Sequence, residues 1–272
     1  MRLRIFLLGL IFLSANLAFS YQDVRELSLP AEGIKKLEIR CGAGFLEVRG
    51  REDLQEIEVM AEIKVSGLRE EKAQKLINEK VRLSLEKKGE KAVLLSKFHE
   101  PVSVFFSFRE KLINLTVNVP KNMPLSIDDG SGWVRIENIA GEVEIDDGSG
   151  SIRIEDITGK VEIDDGSGEI QVEKIEGALG IDDGSGEIEI KSISGDVFID
   201  DGSGDIEMKG ILGSVSIVDG SGSIYVEDVQ GGVEVSDGSG SINIDGVERD
   251  VRVKRDGSGS VNIKNVKGKI SK

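Results

Sequence analysis

From residue 127 onward, apolar residues fall on alternate positions in short bursts, broken at fixed intervals by the tetrapeptide Asp-Gly-Ser-Gly. One interval reads Ser151-Ile-Arg-Ile-Glu-Asp-Ile-Thr-Gly159, then Lys160-Val-Glu-Ile-Asp-Asp-Gly-Ser-Gly168. Ile152 and Ile154 share one face of a short strand, Ile157 follows after a corner, and Val161 and Ile163 share a face of a second strand. The tetrapeptide starts at Asp129, Asp147, Asp165, Asp183, Asp201, Asp219, Asp237 and Asp256, with steps of 18 residues and a last step of 19. Each coil thus offers about five aliphatic side chains to an interior, too few to bury alone and enough when coils stack. Parallel neighbours ~4.8 Å apart predict eight coils spanning roughly 38 Å. An antiparallel meander of 18-residue hairpins competes with this; near-identical coils favour like-on-like stacking.

The pattern extends upstream in degraded form. Leu37-Glu-Ile-Arg-Cys-Gly-Ala-Gly-Phe-Leu-Glu-Val48 has the spacing of residues 161–172, with Cys41 in place of Asp165 and Ala43 in place of Ser167. The solenoid therefore begins near Ile34 and is interrupted by an insertion. Within it, Ile57, Val59, Ala61, Ile63 and Val65 alternate as a longer strand. Glu70 to Val81 carries Ala73, Leu76, Ile77 and Val81 on one helical stripe. A hairpin follows around Lys87-Lys88-Gly89, and a strand through Leu115, Val117 and Val119 ends at Pro120. The predicted fold is all-β: a single-stranded parallel β-helix, or β-solenoid, of about 18 residues per coil with a small α+β N-terminal capping insertion. Residues 21–126 form the strand and helix capping region with its one degenerate coil, and 127–272 the solenoid of eight coils. Lys264, Lys267, Lys269 and Lys272 crowd the last coil, where lysines on an open edge discourage strand addition.

Val-Pro after alternating apolar residues, then Ile-x-Asp-Gly-Ser-Gly-x-Ile-x-Val with Gly-x-Val-x-Ile between turns, resembles the bacterial β-strand-repeat family of candidate adhesins. The resemblance covers roughly Leu37 to the C-terminus. It implies a single-stranded β-helix in an envelope or surface protein and says almost nothing of activity.

The first residues sharpen the location. Arg2 and Arg4 precede an apolar run from Ile5 to Leu17, and Ala18-Phe19-Ser20 supplies small residues at the positions a signal peptidase reads, so residues 1–20 read as a signal peptide cleaved after Ser20. An uncleaved anchor is the alternative, but the run falls short of the ~20 residues a spanning helix needs. The lone Cys41 excludes an intramolecular disulfide and lies too far on for lipid attachment. A periplasmic or secreted protein is expected.

Charge narrows the partners. From residue 127 onward there are 14 basic and 33 acidic residues, a net of −19, whereas residues 1–126 carry 21 basic and 17 acidic, a net of +4. An acidic solenoid repels nucleic acid and anionic lipid, so an envelope or surface partner of basic or cationic character is expected.

The candidate chemistry is the carboxylate ladder of Asp129, Asp147, Asp165, Asp183, Asp201, Asp219, Asp237 and Asp256. Charges ~4.8 Å apart repel by about 1 kcal/mol in water and more where partly buried, so something offsets them. One account is turn chemistry, each carboxylate accepting the backbone N–H two residues on. The other is Ca²⁺ shared between coils through hard oxygen ligands. Catalysis is poorly supported. The only histidine, His99, lies in the insertion, and uniform coils lack the unequal loops from which β-helix enzymes build clefts. Trp133 sits where Ser151 and Glu169 sit; it either covers the junction with the capping region or offers a ligand platform. The functional expectation is a non-enzymatic exported adhesin or interaction scaffold. A Ca²⁺-stabilised structural module and a glycan-processing enzyme are the alternatives.

Overall fold

The computed structural model describes residues 4–6, 20–99 and 111–272. The expected signal peptide therefore lies, apart from residues 4–6 and Ser20, outside the described residues. The chain divides into two compact units, residues 1–133 and 134–272.

The first unit holds two sheets. In one, Ser20–Pro30, Glu56–Ser66, Lys111–Pro120 and Ala43–Arg51 lie side by side, the first two pairings antiparallel and the third parallel. In the other, Leu125–Asp129, Lys36–Arg40 and Lys91–Phe98 pair in parallel and Val81–Lys88 closes the edge antiparallel. Ile57, Val59, Ala61, Ile63 and Val65 are buried, as their alternation requires. The helix is Glu70–Lys80, with Glu70 and Glu71 in its first turn and Lys80 in its last, each sign suited to the helix dipole. It stops one residue before the expected end because Val81 is already extended, at φ −75° and ψ 130°, and starts the hairpin. The degenerate coil pairs in the expected register: Leu37 lies beside Leu125 and Ile39 beside Ile127, and the Cys41 amide donates to the Asp128 carbonyl at 2.9 Å.

The second unit is a parallel β-solenoid. Each coil has a long arm such as Gly150–Ile157 and a short arm such as Val161–Asp165. Long arms pair with long arms and short arms with short arms, always in parallel and like on like: Ile152 beside Ile170, Ile157 beside Ile175, Val161 beside Leu179, Ile163 beside Ile181. The pairing continues through the later coils, so the meander alternative is excluded. Five aliphatic columns line the interior. Ile188, Ile190, Ile193, Val197 and Ile199 represent them in one coil, none more than 2% exposed. Burying each such side chain contributes about 1.5–3 kcal/mol, an amount no isolated coil could gain.

The corner before the third aliphatic residue is the same in every coil, although its sequence is not. Asn138, Asp156, Lys174, Ser192, Asp228 and Asn265 adopt φ between 50° and 60°, and Gly210 and Gly246 adopt 75° and 74°. This left-handed residue is skipped in the ladder and rotates Ile157 and its equivalents back into the core. The 19-residue step is absorbed by Lys254: Val253 pairs with Val235, but Arg255 pairs with Ser236.

Candidate functional site

Alternation carries one step beyond the aliphatic residues of each short arm. In Val161-Glu-Ile-Asp-Asp165, the first, third and fifth residues share a face, so the Asp165 carboxyl turns inward with Val161 and Ile163. Asp129, Asp147, Asp165, Asp183, Asp201, Asp219 and Asp237 are all 4% exposed or less. The eighth aspartate, Asp256, is exposed. Sequence reasoning placed these residues at turns; their burial is what it missed.

One carboxyl oxygen closes the turn. The Ser149, Ser167, Ser185, Ser203, Ser221 and Ser239 amides donate to Oδ1 of the aspartate two residues before, at 2.8–3.4 Å. The glycine between them donates its amide to the preceding coil, as Gly166 does to the Asp147 carbonyl at 2.9 Å. The last glycine of the tetrapeptide is sterically required. Gly168 sits at φ 146°, and a Cβ there would fall 1.4 Å from the Gly150 carbonyl oxygen. The degenerate coil keeps this contact, since a Cβ on Gly132 would meet the Gly44 carbonyl oxygen at 1.7 Å. That is why Cys41-Gly-Ala-Gly44 can lose its acid and its serine but not its last glycine, where a Cβ would fall 2.3 Å from the Ile113 carbonyl oxygen.

The other oxygen is left over. Among the described residues, Oδ2 of Asp165, Asp183, Asp201, Asp219 and Asp237 is buried without a hydrogen-bond partner. Burial, aided by the neighbouring aspartates and outweighing the turn amides, pushes Asp183, Asp201 and Asp219 from 3.8 up to about 6. Asp165 and Asp237 are raised for the same leading reason. Burial also lifts Asp129 to about 6, against hydrogen bonds from Cys41 and from the Gly130 and Ser131 backbone. The column is a file of hard oxygen donors, one spare oxygen per coil ~4.8 Å apart. Ca²⁺ wants six to eight oxygens, so a cation here would lie between coils and take carbonyls as well.

Other acidic and aromatic features lie elsewhere. Carboxylate oxygens of Glu142, Glu144 and Glu162 lie within 4.8 Å of one another, and Lys160 pairs with Glu162. Trp133 stacks on Phe45 with ring centroids 5.1 Å apart and stays 42% exposed. Beside Phe45, the buried Asn114 accepts its amide at 3.2 Å and donates to Glu62 at 2.9 Å. Burial works to raise the Glu62 carboxyl, but hydrogen bonds from Lys64, Asn114 and Gln22 hold it below its usual value. No sequence signal marked Asn114 except its polarity within an apolar run. His99 is exposed. Two open troughs run along the solenoid faces. One of about 540 Å³ is lined by Phe198, Ser216, Glu234 and Arg252, and one of about 470 Å³ by Tyr225, Asn243, Asp245 and Lys264.

These features define an all-β parallel β-solenoid with turns built over an internal acid column. Residues 34–271 match the model of the Toastrack DUF4097 family, and the chain belongs to that family. It is similar to a candidate adhesin of Bacteroides fragilis (13% identity, 92% of this chain and 96% of that one, TM-score 0.38). It is likewise similar to a candidate adhesin of Parabacteroides distasonis (16%, 92% and 96%, 0.31) and to a candidate lipid-binding protein of that species (12%, 92% and 97%, 0.33). Overlaps this low carry no inference about activity. No protein of curated function matches the sequence. Among the described residues, no helix is long and apolar enough to cross a membrane.

Proposed function

We propose that the chain is an exported, non-enzymatic envelope or surface protein whose solenoid serves as an adhesion or interaction scaffold. The observation that carries this is the outward face of the coils, where charged side chains recur in register. Examples are Glu155 joined to Lys174 at 2.7 Å and Glu227 joined to Lys209 at 2.8 Å, each pair spanning two coils. On the short-arm sheet the outward carboxylates of Asp164, Asp182 and Asp200 stand in adjacent rungs. A repeated acidic surface suits a basic or cationic partner and opposes nucleic acid. Export is supported by the basic and apolar N-terminus, and the first long strand starts at Ser20, where cleavage is expected. The test is retention of immobilised protein by cell-envelope fractions, with bound material released by salt. Retention at low ionic strength that salt abolishes is expected; none at low ionic strength would sink the reading. Turnover of a glycan that an Asp substitution abolishes would replace it with an enzymatic one.

A second reading is favoured by the unpartnered Oδ2 atoms: a cation, Ca²⁺ above all, compensates the column formed by Asp165, Asp183, Asp201, Asp219 and Asp237. Thermal melts with EDTA and with added Ca²⁺ decide it. A higher midpoint with Ca²⁺ supports it, and an unchanged one removes it.

A further inference from the structure

The chain contains nine Asp-Gly steps, the eight of the repeat and Asp245-Gly246. Among the steps that follow an aspartate, Asp-Gly is the most open to self-cyclisation, because glycine sets no side chain in the path of its own nitrogen. The glycine nitrogen bonds to Cγ of the aspartate, the carboxyl oxygen leaves as water with the amide proton, and a succinimide forms. Water then adds to either ring carbonyl and opens it. The chain either returns to aspartate or runs on through the side-chain carboxyl as isoaspartate. The net change is an isomerisation that needs no oxidant, reductant or enzyme.

In the stacked coils every requirement of ring closure is opposed. Closure consumes the glycine N–H. At Gly166, Gly184, Gly202, Gly220 and Gly238 that N–H is committed to the aspartate carbonyl of the preceding coil at 2.8–2.9 Å. The aspartate carboxyl is held by the serine amide at 2.8–3.2 Å in the same five turns. These aspartates are no more than 2–3% exposed, so the water that opens a succinimide is kept away. Asp245 is exposed, but it sits inside the strand Ile242–Val247 and its carboxylate accepts the Asn265 side-chain amide at 2.6 Å.

Asp256 lacks the burial and the amide bonds that protect the stacked turns, although Gly257 is packed closely, a Cβ there falling 1.8 Å from the Gly238 carbonyl oxygen. The extra residue Lys254 bulges two positions before it, Asp256 is exposed, and it is the last residue of its strand. Gly257 lies outside the strand at φ 39°. Among the described residues its amide makes no inter-coil bond of the kind that ties Gly166 to Gly238.

We propose that Asp256-Gly257 is the Asp-Gly step at which the folded protein converts spontaneously to isoaspartate, the steps at Asp165, Asp183, Asp201, Asp219 and Asp237 being held inert by the stack. The product adds a methylene to the main chain in the short arm that pairs with Val233–Asp237, and it presents an α-carboxylate of the kind that carboxyl-methylating repair enzymes recognise. The experiment incubates the full folded chain in heavy-oxygen water at mildly acidic pH and maps its peptides by mass spectrometry, since every passage through succinimide leaves a heavy oxygen. Label on the Asp256 peptide is expected to appear at least about tenfold faster than on the Asp165, Asp201 or Asp245 peptides, which react only through local opening. Equal rates, or an unlabelled Asp256 peptide, would overturn the proposal. In concentrated urea all nine steps should label at comparable rates. An Asp201 peptide still inert there would also overturn it, since its resistance would then owe nothing to stacking. Asp256→Glu removes the five-membered closure. It should abolish isoaspartate in the folded protein, and continued formation at the wild-type rate counts against the assignment.

Discussion

Each buried aspartate of the solenoid has one oxygen engaged by a turn and one facing its equivalents in the coils above and below. The inward position was legible in the sequence, since Asp165 has the same parity as Val161 and Ile163; a turn-forming residue type masked it. What alternation could not show is the protonation this burial imposes. Asp183, Asp201 and Asp219 are lifted by burial first, and then by the surrounding aspartates, among them Asp165, Asp237, Asp200 and Asp205. Near Asp237, Arg255 works in the opposite sense. The folded chain thus holds protons up to about 6 that the unfolded chain releases near 3.8. The stability tied to these protons is complete below the lower value and is lost as pH rises through the upper one. The carboxylates of Glu38 and Glu155, held low chiefly by hydrogen bonds from Lys91 and Lys174, lose their contribution only as pH falls through the range below 4.5. The thermal midpoint is therefore expected to be higher at about pH 5 than at about pH 7.5. A midpoint, followed by circular dichroism, that rises or stays level as pH goes from about 5 to about 7.5 would contradict the protonated column.

At the level of the strand and its corner, the five aliphatic columns and the hairpin at Gly89 follow directly from spacing. The second corner does not, because its residues differ from coil to coil. The left-handed backbone there is imposed by stacking: every coil must rotate its third aliphatic residue inward at the same point to stay in register. A signal did exist. Asn138, Asp156, Gly210, Asp228, Gly246 and Asn265 are of the types that tolerate this conformation, and only Lys174 and Ser192 are not. Lys174 therefore carries strain that its exposed ion pair with Glu155 offsets only slightly. Lys174→Asn should stabilise the protein by about 0.5–1 kcal/mol in a urea melt. A loss of stability would mean that the ion pair outweighs the backbone.

Over the whole molecule, charge is distributed more sharply than its total suggests. Residues 127–248 hold 6 basic and 31 acidic side chains, and residues 249–272 hold 8 basic and 2 acidic. The acidic stretch is the surface on which the proposed interaction rests. Like-on-like registry also makes the coil the unit of tolerance. Removing residues 166–183 joins Asp165 to Gly184 and leaves every column in phase, so a cooperative thermal transition and the wild-type strand spectrum are expected, with a midpoint lowered by only a few degrees. Removing residues 160–168, half that length, puts Lys174 where Asp165 stood in the buried column; that variant should fail to fold. Equal behaviour of the two deletions in circular dichroism would refute register as the organising constraint.

The hydrogen bonds between coils of the second unit all lie along the direction of stacking, donated to the preceding coil, as from Gly166 to Asp147, and to the following one, as from Gly150 to Ser167. Tension applied along that direction meets the bonds one rung at a time, as in a zipper, and not in parallel as in a sheared sheet. Resistance is then set by a single coil however many are stacked. Each coil that yields releases 18 residues, or about 60 Å of slack. A filament of this construction lengthens under load in small repeated increments, and a tether made from it would absorb a sudden pull before the attachment at either end gives way.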